Sequence, residues 1–323
     1  MIEPVDGPRR PADLATRPAT ADDLPVCAAI WRVSINDYIA RLGQPEIPDE
    51  LGPIMRLYGH LHATDPERFV VAVQPNAAGE RVVGFALAVV RERIWYLSML
   101  FVLPEVQAGG VGRELLERVL PAPGEGMIRA TGTDSAQPIS NGLYASCGIV
   151  PRMPLLNLAG LPRRPEAFGS LPSGVRAVPF DEIAGNGSGG HRDLVDAVDR
   201  LDREIVGFVH PADHRYLRME SRRGWLYRGP DGAPLGYGYS SEAGRVGPVA
   251  VRDADLLGPV LGHLTSAVVP RGAFSMWLPG DADRAVVPAL LAGFRLEPFP
   301  VLLCWDHQPA DFERYLPISP GLL

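Results

Sequence analysis

The segment Leu100–Leu116, LFVLPEVQAGGVGRELL, constrains the fold of this 323-residue chain more than any other stretch. An apolar run ends at Pro104, because proline cannot donate to a β ladder. Gly109, Gly110 and Gly112 then precede leucines and valines at helical spacing. The segment therefore predicts a strand, a glycine turn and the start of a helix in direct succession.

A glycine turn at a helix start favours binding of a phosphate or pyrophosphate. The first backbone N–H groups of a helix have no acceptor within it, and the helix dipole adds about half a positive charge there. Glycine leaves this end bare of side chains. The alternative is a purely structural role, in which the glycines only form a tight connection between the strand and the helix. This segment contains no Gly-Lys-Ser and does not fit G-x-G-x-x-G, so it indicates neither a nucleotide-triphosphatase loop nor a dinucleotide fingerprint.

Composition excludes several other chemistries. All 31 basic residues are arginine, so no lysine can serve in a phosphate loop or form a Schiff base. The net charge is −7, and no arginine stripe is interleaved with aromatic residues, which argues against a nucleic-acid partner. Cys27, Cys147 and Cys304 are far apart, without C-x-x-C, so we expect neither a disulfide framework nor a metal site.

The N-terminal segment carries acids and prolines rather than a basic and then an apolar stretch. The longest apolar runs, such as VVGFALAVV, fall far short of the ~20 residues that a membrane helix needs. We therefore expect a cytoplasmic protein without a membrane partner, and the bias toward Arg, Ala, Gly and Pro is typical of a GC-rich bacterial genome. A monomer and a homodimer both remain open.

The order of elements predicts an α+β fold. Helices are expected over Leu24–Arg41 and Leu51–His62, followed by three antiparallel strands, of which the third, Ile94–Leu103, leads into the glycine turn. After the helix Arg113–Leu120 come a short strand, the short helix of SNGLYASCG and the strand PLLNL. Residues 161–175, rich in Pro and Gly, are expected to form a linker.

The rest of the chain repeats this order at low identity. GLYASCGIVPRMPLLNL is echoed by ALLAGFRLEPFPVLLCW, which places Gly148 opposite Gly293 and Pro154 opposite Pro300. We predict two tandem units, 1–160 and 176–323, each a mixed, mostly antiparallel twisted sheet flanked by helices.

The glycine turn also fits Q-x-x-G-x-G, preceded by V-x-P, and here the sequence resembles the GNAT superfamily of acyl-coenzyme A dependent N-acyltransferases. The resemblance covers roughly Ala12 to Leu158, including the order of elements. It implies that the loop binds the pyrophosphate of coenzyme A and that the fourth strand donates backbone hydrogen bonds to the pantetheine arm. By position, it assigns Phe101, Val102 and Leu103 to the arm, and Gln107, Ala108, Gly109, Gly110, Val111, Gly112 and Arg113 to the pyrophosphate.

A second family motif, N-x-x-Y-x-x-x-G, is matched by Asn141, Tyr144 and Gly148. The resemblance implies that the hydroxyl of Tyr144 lies near the coenzyme sulfur, where a phenol can protonate the departing thiolate. Tyr144 is alternatively a core aromatic. Asn141 either bonds the coenzyme or caps the helix.

No general base stands out. Many relatives have a carboxylate on the fourth strand, whereas this strand has Ser98 and Met99. Ser98 is therefore a second catalytic candidate, after Tyr144. Four further side chains are weaker candidates, each more typical of a solvated surface group: Glu92, Asp134, His60 and His62.

The second unit lacks the residues of both motifs. Aligning Val251 with Val102 places Leu256, Pro259 and Leu261 where the first unit has Gln107, Gly110 and Gly112, and adds two aspartates that would repel a pyrophosphate. Ala289 takes the place of Tyr144. We therefore expect the second unit to be a degenerate copy that serves structure or forms a wall of the acceptor site.

The expected function is transfer of an acetyl group from acetyl-coenzyme A to a primary amine of a small molecule, directly within a ternary complex. No nucleophile elbow such as G-x-S-x-G is present. Trp31, Tyr38 and Tyr58 lie on the first two helices, where this fold usually frames its acceptor. A protein or peptide N-terminus as acceptor, and a non-catalytic coenzyme A sensor or scaffold, are the alternatives.

Overall fold

The computed structural model describes residues 14–77, 79–122, 124–185 and 189–323. Contacts between residues divide the chain into two compact units. The first unit runs up to Val90 and includes Trp95–Met127, and the second comprises Arg91–Ile94 and Ile128–Leu323. In the described part of the chain, no helix combines the length and the apolar character needed to cross a membrane.

The first unit places helices around a small antiparallel sheet. Its helices are α1 (Leu24–Ala40), α2 (Gly52–Thr64) and α3 (Val111–Val119), and its strands are β1 (Ala15–Pro18), β2 (Phe69–Asn76), β3 (Gly79–Arg91) and β4 (Ile94–Val102). The strands follow one another in the order β1-β2-β3-β4. β2 is antiparallel to both β1 and β3.

An aromatic cluster and the buried face of α3 form the core of this unit. The rings of Phe69 and Phe85 lie edge-on to Tyr58, at centroid distances of 6.0 and 5.5 Å. Trp95, also fully buried, donates from its indole Nε1 to the carbonyl oxygen of Val119 at 2.7 Å, which ties β4 to the end of α3.

The second unit contains the remaining elements. Its helices are α4 (Pro138–Ser146), α5 (Phe180–Ala184), α6 (Gly190–Leu201), α7 (Pro211–Met219), α8 (Leu257–Ser266) and α9 (Asp283–Ala292), with a π-helical turn at Asp202–Val206. Its strands are β5 (Ile128–Asp134), β6 (Val150–Gly160), β7 (Arg176–Pro179), β8 (Arg223–Arg228), β9 (Pro234–Ser240), β10 (Arg245–Val251), β11 (Phe274–Pro279), β12 (Arg295–Leu296), β13 (Val301–Trp305) and β14 (Tyr315–Leu316).

The sheet of the second unit interleaves the two sequence repeats. Its strand order is β5-β13-β6-β11-β10-β9-β8-β7. β13, from the second repeat, pairs antiparallel with both β5 and β6, and β6, from the first repeat, pairs antiparallel with β11. Each repeat therefore places its last long strand beside the other repeat. Only the β10–β11 pair is parallel among the pairs described in this unit.

The predicted fold class, α+β with a mostly antiparallel mixed sheet flanked by helices, is confirmed. The predicted helices and strands are present with boundaries within a few residues, and RVGPVAV is a strand over its whole length. The short elements β1, β7, α5, β12 and β14 are additions that the sequence patterns did not predict.

The helix ends before Gly148 and Gly293 show that the repeat is structural. Both glycines have positive φ, +81° and +106°, and each follows a short helix. Ile149 N–H bonds the carbonyl of Tyr144 at 3.0 Å, and Phe294 N–H bonds that of Ala289 at 3.1 Å. Tyr144 and Ala289 thus accept equivalent hydrogen bonds, in agreement with the sequence alignment that pairs these two residues.

The segment predicted as a linker packs within the second unit. Residues Pro165–Phe168 form a 3₁₀ turn, and Phe168, 2% exposed, contacts the ring of Phe294 at a centroid distance of 6.0 Å. The predicted division at 160 and 176 follows the repeat along the chain, whereas contacts group β5, α4 and β6 with the second unit. The sequence division stays a prediction.

Candidate functional site

The first unit contains the strand, turn and helix that the glycine segment predicts. β4 ends at Val102, a 3₁₀ turn spans Pro104–Val106, and a four-residue loop, 107–110, leads to the first residue of α3. Ala108 and Gly110 have positive φ, +66° and +80°. These left-handed conformations let the loop reverse direction just before the helix begins.

The loop presents a row of unused backbone donors. Among the described residues, the N–H groups of Ala108–Gly112 have no acceptor, and in the first turn of α3 the N–H of Glu114 bonds the carbonyl of Gly110 at 3.1 Å. Ala108 and Gly110 are exposed, and a Cβ built on Gly110 would meet nothing within 4 Å. Together with the positive end of the α3 dipole, this row can bind an anionic group from solvent.

Gln107 holds the loop to the end of β4. Its side-chain Nε2 donates to the carbonyl oxygen of Val102 at 2.9 Å, and Ser34 Oγ, on α1, donates to the same oxygen at 3.1 Å. The N–H of Leu103 donates to the carbonyl of Val83 at 2.9 Å. The side-chain amide of Gln107 therefore positions the loop, and the carbonyl of Val102 already has two donors.

The last part of β4 is accessible where the resemblance assigns the pantetheine arm. Met99, Leu100 and Phe101 are half-buried, whereas Ser98 is buried with a partner of its own. A Cβ on Gly84 of β3 would lie 2.9 Å from the carbonyl oxygen of Phe101, so the glycine permits close backbone approach here. The catalytic assignment of Ser98 stays a prediction.

In the second unit, Tyr144 lies on α4 and is buried, with 4% exposure. Burial raises the pKa of its phenol well above the usual value, so the hydroxyl stays protonated at neutral pH. Asn141 Nδ2 donates to the carbonyls of Asp134 and Gln137 at 3.1 and 2.8 Å, which joins β5 to α4. Its Oδ1 is buried without a hydrogen-bond partner among the described residues.

The three aromatic residues predicted near the acceptor have different environments. Trp31 and Tyr38 are half-buried on α1. Tyr58 is fully buried and packs as a core aromatic against Phe69 and Phe85, with a hydroxyl that has no partner in the described part of the chain. Their role in acceptor binding stays a prediction.

The weaker candidates for a general base already have partners. Glu92, exposed with φ +50°, accepts a hydrogen bond from Arg203 at 3.3 Å, and Asp134 Oδ1 accepts from the N–H of Ala136 at 2.9 Å. His62 Nε2 lies 3.2 Å from the carbonyl oxygen of Ala19. His60 is half-buried on α2 and also has a partner.

The corresponding helix start in the second unit, that of α8, is buried. A 3₁₀ turn at Ala254–Leu256 runs into α8 without an intervening loop, so Pro259 and Leu261 are already inside the helix. A Cβ on Gly258 would lie 2.9 Å from the carbonyl oxygen of Phe168. The chain itself therefore covers this helix start.

A buried polar cluster in the second unit escaped the sequence analysis. Asp202, His210 and His214 offer three potential ligand atoms within 4.8 Å of one another, and all three side chains are buried. The available signal was His-Pro-Ala-Asp-His, whose two histidines, four residues apart, share one helical face. The acid eight residues earlier could be placed only by the fold.

Comparison with solved structures defines the class of fold. The chain is similar to a putative acetyltransferase from Pyrococcus horikoshii, with TM-score 0.72, 14% identity, and coverage of 99% of this chain and 100% of that one. A GCN5-related N-acetyltransferase from Sphaerobacter thermophilus gives a TM-score of 0.60 at 16% identity, covering 94% and 99% of the two chains. A tandem GNAT protein from the clavulanic acid biosynthesis pathway gives 0.55 at 15% identity, covering 91% and 98%. The fold is therefore that of tandem GNAT proteins.

Residues 33–149 match the model of the acetyltransferase (GNAT) family, a range that includes the glycine loop and Tyr144. The match lies in the part of the chain that contains β4, α3 and α4. A comparison with curated protein sequences finds no significant match.

Proposed function

We propose that this protein transfers an acetyl group from acetyl-coenzyme A to a primary amine of a small molecule, by direct transfer in a ternary complex. The observation that carries the proposal is the row of five backbone N–H groups, Ala108–Gly112, that have no acceptor among the described residues. Such a row at a helix start suits the pyrophosphate of the coenzyme. When bound, the coenzyme supplies the acetyl thioester.

In this proposal, the residues of the loop bind the coenzyme and orient it. The amides of 108–112 hold the pyrophosphate, and the hydrogen bond from Gln107 to Val102 keeps the loop in register with β4. The half-buried end of β4 orients the pantetheine arm. Holding an amine within ~3 Å of the thioester carbon makes the reaction effectively unimolecular, which supplies much of the acceleration.

We assign the proton transfer to Tyr144. Burial raises the pKa of this phenol, so the group is neutral across the physiological range, as a proton donor must be, and in the proposal it protonates the departing thiolate. Direct transfer is supported by the state of two cysteines. Burial raises the pKa of Cys27 and of Cys304 to about 12, so neither thiolate is populated near neutral pH to accept the acetyl group.

We further propose that the start of α8 binds no coenzyme. Leu257 and Gly258 are buried there, and the segment around Phe168 covers the helix where a phosphate would have to approach. One coenzyme per chain is therefore the expected stoichiometry.

The test measures thiol release from acetyl-coenzyme A with a panel of small amines and of peptides with free N-termini, and identifies the products by mass. We expect acetylation of at least one small amine. Acetylation of peptides alone would contradict the proposed acceptor class. Coenzyme binding without turnover on any acceptor would favour the sensor alternative.

Tyr144→Phe tests the assigned proton donor. Loss of general acid catalysis should lower kcat about 100-fold and leave the affinity for coenzyme A unchanged. Tyr227→Phe is the matched control, because Tyr227 is also buried and its hydroxyl bonds only His263, at 2.9 Å; its kcat should change less than about twofold. Equal kcat in Tyr144→Phe and the wild type would remove Tyr144 from the reaction.

A further inference from the structure

The cluster of Asp202, His210 and His214 has the composition and placement of a metal site. Asp202 begins the π-helical turn that follows α6, His210 immediately precedes α7, and His214 lies in the first turn of that helix. Asp202 and His210 have no exposed surface, and His214 is 4% exposed. Two imidazoles and one carboxylate are a ligand set that binds Zn²⁺ or Fe²⁺ in proteins.

The distances match those between ligands that share one ion. Asp202 Oδ2 lies 3.1 Å from His214 Nε2 and 3.4 Å from His210 Nε2. Ligand atoms bound at about 2.0–2.1 Å and separated by the tetrahedral angle are about 3.3–3.4 Å apart. The two distances from Asp202 are within a few tenths of an ångström of that separation, and all three ligand atoms lie within 4.8 Å of one another.

His210 supplies the observation that points to a missing ligand. Both of its ring nitrogens are buried, and neither makes a hydrogen bond of normal geometry among the described residues, although Nε2 lies within ion-pair distance of Asp202 Oδ2, at 3.4 Å. Buried polar atoms are normally satisfied, since leaving one without a partner costs about 1–3 kcal/mol. An ion bound to Nε2 would satisfy the nitrogen that faces Asp202.

Two tyrosines support the proposed ligands from outside. The hydroxyl of Tyr237 donates to Asp202 Oδ1 at 2.7 Å, and the hydroxyl of Tyr239 lies 2.8 Å from His214 Nδ1. The metal-binding atoms that these tyrosines do not contact are Asp202 Oδ2 and His214 Nε2, which lie 3.1 Å apart. Metal ligands are characteristically held by such outer hydrogen bonds, which orient the imidazole or carboxylate.

Arg91 does not neutralise the carboxylate of Asp202. Arg91, which could compete for the carboxylate, is paired with Asp213 through two bonds of 2.7 and 2.8 Å. A cavity of about 60 Å³ adjoins His214 and is also lined by Asp199 and His191. A cavity of this volume can hold water next to His214.

We propose that Asp202, His210 and His214 bind one divalent transition-metal ion, with Zn²⁺ as the expected ion, in a site built into the second unit. All three residues belong to the second unit. The ion would join the π-helical turn to the start of α7 and thereby stabilise this part of the unit.

The experiment uses the full-length protein, stripped with a chelator and titrated with ZnCl₂ against a chromophoric indicator. We expect one equivalent to bind with a Kd below about 1 μM and to raise the melting temperature. Titration with Co²⁺ should give the intense visible bands of a four- or five-coordinate site. Wild-type protein that shows no saturable binding and no such bands would overturn the proposal without any variant.

His210→Gln is the most informative variant, because glutamine keeps a polar side chain at this buried position while removing the imidazole. It should weaken Zn²⁺ binding by more than the ~10–100-fold typical of losing an outer partner. His263→Gln is the matched control, a histidine of the same unit bonded only to Tyr227, and should bind as the wild type does. Undiminished binding in a His210→Gln, His214→Gln double variant would place the ion elsewhere and refute the site.

Discussion

The starts of α3 and α8 descend from the same pattern of strand, 3₁₀ turn and helix, yet only one is open. At α3 a four-residue loop intervenes, and five backbone N–H groups have no acceptor among the described residues. At α8 the helix follows the turn directly, Leu257 has no exposed surface, and Phe168 packs over the helix. The difference teaches that a helix start can be closed to an anion by burial of the helix end as well as by substitution of its glycines.

The variant with the largest expected effect tests whether the start of α8 is part of the packed core. Leu257→Ala should destabilise the protein by about 3 kcal/mol, because it removes a fully buried side chain and leaves a cavity. Coenzyme A affinity should be unchanged within twofold. Denaturant unfolding and calorimetric titration provide the two measurements.

Leu291→Ala is the matched control, since Leu291 lies on α9 and is 52% exposed. Its cost should stay below about 0.5 kcal/mol. If the Leu257 variant were no less stable than this control, the start of α8 would not be the packed element described above.

The next effect concerns the open helix start. Gly110→Asp should weaken coenzyme A binding at least 30-fold, about 2 kcal/mol, because it places a negative charge where the pyrophosphate is proposed to bind. Isothermal titration with coenzyme A measures the change.

Gly43→Asp provides the control for backbone strain. Gly43 also has positive φ, +68°, and a Cβ there would likewise meet nothing within 4 Å. Both variants should therefore lose similar stability, about 1 kcal/mol, while Gly43→Asp keeps its affinity. Equal affinity in the two variants would contradict the placement of the phosphate site.

A smaller effect separates loop position from stability. Gln107→Ala should raise the Kd for coenzyme A about fivefold, near 1 kcal/mol, since the loop loses its hydrogen bond to Val102. Ser34→Ala removes the other donor to the same carbonyl but leaves the loop intact. It should lower stability by a similar ~1 kcal/mol with little change in Kd. The reverse pattern would mean that Gln107 does not position the loop.

The smallest effect examines the second unit again. Pro259→Ala restores the N–H that proline lacks, but Pro259 is the third residue of α8, in a covered first turn. We expect one coenzyme per chain, as in the wild type, and a stability change below about 1 kcal/mol. A second equivalent of bound coenzyme would show that the proline, rather than burial, closes this helix start.

Much of the candidate site could be predicted because it is local. The φ of Gly110, the start of α3 and the glycine-ended helix before Gly148 depend on residues only a few positions apart. The second role of Gln107, as a hydrogen-bond donor to Val102, could not be predicted. This hydrogen bond requires the loop to fold back on the strand. The same loop sequence is compatible with other conformations in which the side chain of Gln107 does not reach Val102.

The sequence by itself determined the order of helices and strands, the repeat, and the strand-glycine-helix segment, since each follows from periodicity and backbone preferences over short stretches. Only the tertiary structure decided that β13 lies between β5 and β6, that Phe168 covers α8, and that Asp202 meets His210 and His214. These contacts join segments far apart in the chain or separated by a turn. Their formation depends on which surfaces compete for burial across the whole unit, and no short pattern records that competition.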